Sequence, residues 1–325
     1  MTRIELIRVA VFVALVATVF ALAARTLVRL VLERLGRAER PTKRLVILFR
    51  GAILGLAALG LLCVAYGYFV EPNWLDVTHA RIATPKLAPG TRPLRIVHIS
   101  DLHCEAKPRL EEKLPELIAR ERPDIIVFTG DSLNTREGLP VFRACLTKLA
   151  TIAPTFVVRG NWDAWYWSDL DLFGGTGARE LNGEAVRVTV GGTPLWVAGV
   201  AVESEDRIPK VLAAMPPEEL QVFLFHYPDE IMQVAEHPVD LYCAGHIHGG
   251  QVALPFYGAL LTLSKYGKRF EAGLYRVRST WLYVNRGLGM EGGPRAPRVR
   301  FCARPEVTVI DVFPAALTRA ASASP

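Results

Sequence analysis

Seven side chains of the kinds that ligate divalent metals, Asp101, His103, Asp131, Asn161, His226, His246 and His248, fall in five short segments of this chain. Asp101-Leu102-His103 couples a carboxylate to an imidazole, and Gly130-Asp131 adds a second carboxylate. Gly160-Asn161-Trp162-Asp163 brings an amide and a third carboxylate, His226 stands alone, and Gly245-His246-Ile247-His248 sets two imidazoles two residues apart. Each segment has an ordinary explanation by itself. Gly-Asp and Gly-Asn are common turn pairs, and a lone histidine is usually a buried residue with its bonds satisfied. Taken as a set they offer carboxylate, amide and imidazole donors, which suit manganese, iron or zinc and the hydrolytic chemistry of such metals. The five cysteines (63, 104, 145, 243 and 302) are scattered without C-x-x-C spacing, which disfavours a thiolate zinc site.

Short β-rich runs alternate with helical patterns from residue 94 onward. Strands are expected at 94–99, 124–129 and 155–158, with helices between them at 109–120 and 139–149. Further strands are expected at 185–190, 195–200, 221–225, 239–243, 274–277, 281–284 and 307–312. Several of these lie close enough in sequence to be hairpins. This order implies an α/β fold of mixed sheets flanked by helices. All five polar segments then fall at strand ends, where open α/β sheets bind ligands.

The five segments in this order resemble the calcineurin-like metallophosphoesterase superfamily, whose pattern is D-x-H, G-D, G-N-H-[DE], H and G-H-x-H. The resemblance covers about residues 94–312. It is closest to the membrane-associated bacterial branch, through Gly245-His246-Ile247-His248-Gly249-Gly250-Gln251, Leu254-Pro255-Phe256-Tyr257-Gly258 and Asn285-Arg286-Gly287-Leu288-Gly289. It implies two packed mixed β-sheets in a four-layer α/β/β/α sandwich. It also implies two divalent metal ions, manganese, iron or zinc. One would be held by Asp101, His103, Asp131 and His248, the other by Asp131, Asn161, His226 and His246, with Asp131 bridging. The implied activity is metal-dependent hydrolysis of a phosphoric ester, a phosphodiester or a diphosphate, by a metal-activated hydroxide. Asp131, Asn161 and Asp163 are the residues expected to serve catalysis.

Trp162 departs from the pattern, because the family carries a histidine there to protonate the leaving oxygen. An indole N–H can donate a hydrogen bond but is no practical acid. Three readings stay open: a substrate whose leaving group needs no proton, a proton supplied by His98 or Tyr227, or a slow or inactive domain. The first favours a diphosphate over an alkyl phosphodiester, and similar pyrophosphohydrolases of lipid A precursor synthesis also lack the histidine. Trp162, Trp165 and Arg286 are candidate substrate contacts, Trp165 within the aromatic run that ends at Trp167 and Arg286 in a loop with Arg295, Arg298 and Arg300. The segment 254–263 is apolar and could reach a bilayer surface or fill a core.

The apolar fraction is 51% and the mean hydropathy +0.24, an excess to be sought in membrane segments. Residues 51–70 run uncharged for 20 residues, enough to cross a bilayer core of about 30 Å. Residues 9–24 are shorter, and Ala21-Leu22-Ala23 could also be a signal-peptide cleavage site, so one or two transmembrane helices are expected. The net charge of +6 lies wholly in residues 25–50, with eight basic and two acidic residues, which leaves 30 of each sign elsewhere. No nucleic-acid partner is implied. The basic stretch instead reads as a loop kept inside, which puts the rest of the chain outside an inner membrane. The expected organisation is a membrane anchor at 1–73, a tether at 74–93 that includes an entry strand, a catalytic domain at 94–315 and a disordered tail at 316–325. The substrate expected is a phosphorylated lipid, an envelope intermediate or a small molecule. A pyrophosphohydrolase of a nucleotide-linked lipid, or a non-catalytic metal-binding scaffold at the membrane, are the alternatives.

Overall fold

Leu, Val and Ala dominate residues 3–34, and these side chains, with Arg, sustain one long helix, α1 (Arg3–Arg34). The helix therefore runs well past the apolar stretch of residues 9–24. It closes with Gly36 at φ +69°, where Gly36 N–H donates to Glu33 O and Arg37 N–H to Leu32 O, the Schellman pattern. The second helix, α2 (Arg44–Ala65), passes into a wider turn over Tyr66–Val70. Ala23, Ile53 and Ala57 pack between the two, and Arg50 bonds Glu33 at 2.7 Å. Both helices are long and apolar enough to cross a membrane, and their other faces expose Leu15, Leu45, Leu62 and Val64. This computed structural model describes residues 3–292 and 298–315. The tail expected at 316–325 and Arg295 lie outside the described residues. The chain divides into two compact units, 1–70 and 71–325.

The second unit opens with β1 (Asp76–Thr84), β2 (Leu94–Ile99), α3 (Leu114–Glu121), β3 (Ile125–Phe128), α4 (Leu139–Ile152), β4 (Thr155–Val157), α5 (Asn161–Tyr166) and β5 (Arg179–Glu180). It continues with β6 (Glu184–Val190), β7 (Thr193–Gly199), α6 (Ile208–Ala213), β8 (Leu220–Leu224), α7 (Ile231–Val234), β9 (Leu241–Ala244), β10 (Ala253–Leu254) and β11 (Gly258–Ala259). The last elements are β12 (Gly273–Val277), β13 (Thr280–Val284) and β14 (Glu306–Pro314). Two six-stranded mixed sheets result, in the orders β1-β14-β2-β3-β4-β5 and β12-β13-β9-β8-β7-β6.

Alternation along the strands builds the layers. Ile96, Ile125, Val127 and Phe156 of the first sheet meet Val197, Val222, Leu224 and Leu241 of the second. On the opposite face of the first sheet, Val97, Ile126 and Phe128 pack against Leu114, Ile118, Phe142 and Leu146 of α3 and α4. Phe223 and Tyr242 of the second sheet meet Val211, Leu212, Ile231 and Val234 of α6 and α7. The fold is thus α/β/β/α, with two mixed sheets flanked by helices. Each fully buried aliphatic or aromatic side chain contributes about 1.5–3 kcal/mol.

Two differences from the expected elements go beyond a few residues at an end. The segment 74–93 contains β1, which runs parallel to β14 in register from Asp76↔Glu306 to Thr84↔Pro314. Its prolines, which suggested a tether, come only after the strand. Helix α3 starts at Leu114 rather than 109 because Pro115 sits in its first turn, where proline is tolerated, and residues before it form turns.

Candidate metal centre

The seven residues converge because five strands end at one edge of the two sheets. Asp101 and His103 come after β2, Asp131 after β3, Asn161 opens α5 just after β4, His226 comes after β8, and His246 and His248 after β9. Main-chain bonds tie these ends together. Asp101 N–H donates to Gly130 O at 2.8 Å, His103 N–H to Asp131 O at 3.0 Å, and Gly245 N–H to His226 O at 2.9 Å. The local backbone is strained where chemistry is to happen. Asp101, His103, Asp131, His246 and His248 all have φ between 45° and 70°, at a cost of about 1–3 kcal/mol each. Gly130 and Gly160 permit this, since a Cβ on either would strike the other loop's backbone or the Asp131 side chain.

The side chains then crowd together. His248 Nε2 lies 3.3 Å from Asp101 Oδ1 and 3.3 Å from His103 Nε2. Asp131 Oδ2 lies 3.4 Å from His226 Nε2 and 3.6 Å from His103 Nε2. Asp101, His103 and His248 form one compact group, and Asp101, Asp131 and His226 another. His246 is outside these groups, its ring 5.2 Å from that of His226 and 4.5 Å from that of Tyr227. Asp131 Oδ2, Asn161 Oδ1, His226 Nε2 and His246 Nδ1 are buried with no hydrogen-bond partner. Each such atom costs about 1–3 kcal/mol unless something takes it up, and divalent cations suit this mixture of oxygen and imidazole donors. His226 Nδ1 lies 2.6 Å from Thr129 O, which holds the proton on Nδ1 and turns the Nε2 lone pair inward, the usual arrangement for a ligating histidine.

Burial opposes charge on every member, and neighbours decide the outcome. Burial would lift Asp101, but His248, His226 and His103 hold it well below the usual carboxylate range. Asp131 is likewise lowered, burial being outweighed by His226 and His103. Burial pushes His103 and His246 down to about 3, so both are neutral donors of a lone pair. Burial also opposes charge on His226, but Asp131, Asp101 and the Thr129 carbonyl lift it to about 10. Without metal, His226 therefore keeps a proton against Asp131.

Trp162 joins the centre. Its ring meets His103 edge-on at 5.0 Å, its backbone N–H donates to Asp131 Oδ1 at 2.8 Å, and its indole N–H donates to Glu291 Oε1 at 3.0 Å. Asp163 accepts the backbone N–H groups of Gly160, Asp131 and Ser132, which fastens the second ligand loop to the third. Burial and the charge of Asp131 push Asp163 up to about 6, partly offset by those donors. Trp165 and Tyr166 are exposed, whereas Trp167 packs inward and its indole donates to Leu133 O. Arg286 is held by Asp76 at 2.9 Å and Glu306 at 3.3 Å, so its guanidinium is engaged by carboxylates of this same unit. The segment 254–263 divides: Ala259, Leu260 and Thr262 are buried, while Phe256, Tyr257 and Leu263 are exposed. His98 is buried, pushed down to about 3 by its burial and bonded to Thr129 Oγ1 at 2.9 Å. Burial and then Asp131 raise Tyr227, so its hydroxyl stays protonated.

Two residues near the centre were not expected from the sequence. Glu291 joins His103 and Asp131 in a third compact group of ligand atoms. Arg300 is fully buried and donates to the carbonyls of Arg286, Gly287, Gly289 and Ala303, with Nη2 at 3.2 Å from His248 Nδ1. The sequence carried a clue to Glu291 in its place two residues after the Asn285–Gly289 motif, but none to Arg300 beyond the arginines of that loop.

A family model described as calcineurin-like phosphoesterase matches residues 94–250. The metallophosphoesterase YkuE of Bacillus subtilis (strain 168) is 31% identical over 278 residues, spanning 80% of this chain and 95% of YkuE. The chain belongs to the calcineurin-like phosphoesterase family. The phosphodiesterase YaeI of Escherichia coli (strain K12) is 28% identical over 265 residues, 76% of this chain and 92% of YaeI. The UDP-2,3-diacylglucosamine pyrophosphatase LpxG of Chlamydia trachomatis is 26% identical over 318 residues, 78% of this chain and 94% of LpxG. As a member of this family the chain is a metal-dependent phosphoester hydrolase, and its buried Asp and His groups are able to hold metal.

Proposed function

We propose that this calcineurin-like phosphoesterase is anchored in the inner membrane and cleaves a phosphoanhydride, the diphosphate bond of a phosphorylated lipid or envelope intermediate, on the extracytoplasmic side. The observation that carries this reading is Trp162, which stands where the family pattern has its acid and gives its indole proton to a hydrogen bond with Glu291. A general acid is worth about 100- to 10,000-fold when the leaving group needs a proton. A phosphate leaving group does not, so the reaction best served here breaks a P–O–P bond.

Asp101, His103, Asp131 and His248 would hold one metal, and Asp131, Asn161, His226 and His246 the other. When bound, such a pair supplies Lewis acidity toward phosphoryl oxygens and lowers the pKa of water. The chain's own residues prepare the rest. Thr129 O fixes the His226 proton on Nδ1, Asp163 locks the Asp131 and Asn161 loops together, and the Trp162 indole covers His103. Helices α1 and α2 support attachment to the bilayer, and the basic stretch at residues 25–50 supports an extracytoplasmic location for the chain beyond Val70.

LpxG supports a second reading, a nucleotide-linked lipid as substrate, on the opposite side of the membrane. A reporter fused after Val70 separates the two: extracytoplasmic signal favours the first and cytoplasmic signal the second. Full-length protein loaded with manganese should cleave a diphosphate faster than an alkyl phosphodiester, and Asp131→Ala should abolish both activities. Trp162→His should raise the phosphodiester rate at least about tenfold. No gain would defeat the leaving-group argument. If manganese binds and neither substrate is cleaved, the domain is a metal-binding scaffold.

A further inference from the structure

We propose that Glu291 is a further metal ligand of this centre, placed on the metal of Asp101, His103, Asp131 and His248 and held there by Trp162. The inference rests on the reading of the centre as a metal pair. A Glu291 carboxylate oxygen, a His103 ring nitrogen and an Asp131 carboxylate oxygen all lie within 4.8 Å of one another. Glu291 Oε1 is also 3.9 Å from His248 Nε2, a member of the Asp101–His103–His248 group. Independently, Asp131 is fully buried and its Oδ2 lies 3.6 Å from His103 Nε2, the two residues that share the group with Glu291.

Glu291 is held from both ends. Gln251 Nε2 donates to Glu291 O at 2.9 Å, and Glu291 N–H donates to Gln251 Oε1 at 2.7 Å. Gln251 in turn donates its N–H to His248 O at 3.0 Å, which couples the Glu291 loop to the two-histidine loop. The Trp162 indole N–H then fixes Oε1 at 3.0 Å. Among the described residues, no Lys or Arg lies within ion-pair distance of Glu291, so a surface ion pair does not account for the placement. A histidine at 162 would have a proton to give; tryptophan has only a hydrogen bond, and it gives that bond to Glu291. Three carboxylates on one metal bias it toward oxygen-preferring ions such as manganese over zinc.

Titration of metal-free, full-length protein with manganese by calorimetry tests this. Wild type should bind two ions. Glu291→Gln should weaken one of them at least about tenfold and leave the other unchanged, and Trp162→Phe should weaken the same one by a smaller factor. Glu291→Asp, which keeps the charge but shortens the reach, should fail to restore that affinity; full restoration would show that charge alone suffices and overturn ligation. Circular dichroism of the metal-free variants confirms that they are folded. Two sites with wild-type affinity in Glu291→Gln would overturn this inference alone, whereas no binding by wild type would overturn the metal pair itself.

Discussion

Arg300→Met is the substitution whose effect the structure defines most sharply. It keeps the volume and removes the guanidinium. Arg300 is fully buried and satisfies four carbonyls, of Arg286, Gly287, Gly289 and Ala303, in the loops that carry Glu291 and back the two-histidine segment. Gly287 O keeps a bond from Glu306 N–H, so three orphaned carbonyls at about 1–3 kcal/mol each give roughly 3–9 kcal/mol. Against this, keeping a guanidinium buried is itself costly: burial and then Arg109 lower its pKa to about 9. Because the guanidinium's own burial cost is relieved, the net cost falls toward the low part of that range, about 3–5 kcal/mol. For a unit of this size that is a fall of about 6–20 °C in Tm. The assay is thermal unfolding of metal-free, full-length protein in detergent, read by near-ultraviolet circular dichroism, with manganese affinity measured alongside. Affinity should fall about 10- to 100-fold as the 286–289 loop, which Arg300 holds and which backs Asp101, loosens. A Tm within about 2 °C of wild type would refute the argument, because the carbonyls would then have found other donors.

Gly245→Ala should be more damaging than its size suggests, since the new methyl group would meet Ser100 Oγ and Asp101 Oδ2. The expected loss is about 1–3 kcal/mol with displacement of Asp101, checked by manganese calorimetry; wild-type affinity would count against it. In metal-free protein the His226 pKa of about 10 lies above its unfolded value of about 6.5. Its stabilising pairing with Asp131 is therefore complete below pH about 6.5 and lost as the pH rises through about 10. Denaturant unfolding across that window should show the decline, His226→Asn should flatten it, and manganese should displace the proton.

The convergence of the seven residues was legible because each sits in a motif beside a glycine or at a strand end, and the β-rich runs that place them are dense in Val, Ile, Leu and Phe. Strand β2 matches its expected bounds, and β3, β4, β8 and β9 differ by a residue or two. Segment 74–93 was harder, because β1 carries His79 and Arg81 among its residues and prolines come directly after it. Its pairing with β14 is a long-range contact that no local pattern announces. The positions of Glu291 and Arg300 in the fold were hard to read for a related reason. Their placement depends on loops folding back against Trp162 and His248, and nothing in the spacing of Gly287, Gly289 and Arg300 states that. The left-handed backbone at Asp101, His103, Asp131, His246 and His248 was equally unreadable, since none of these residue types requires it.

The pairing of β1 with β14 has a consequence for how the protein is made. Strand β1 leaves the ribosome soon after the two apolar helices, yet its parallel partner is the last strand among the described residues, Glu306 lying beside Asp76. At cellular rates of synthesis the interval is on the order of 10–50 s. Through it β2 also lacks its β14 neighbour, so the first sheet stays open along one side until residues 306–314 have been made. Chains cut short between residues 249 and 305 would keep the seven candidate ligand side chains while leaving an unpaired sheet edge exposed, a substrate for chaperones and proteases.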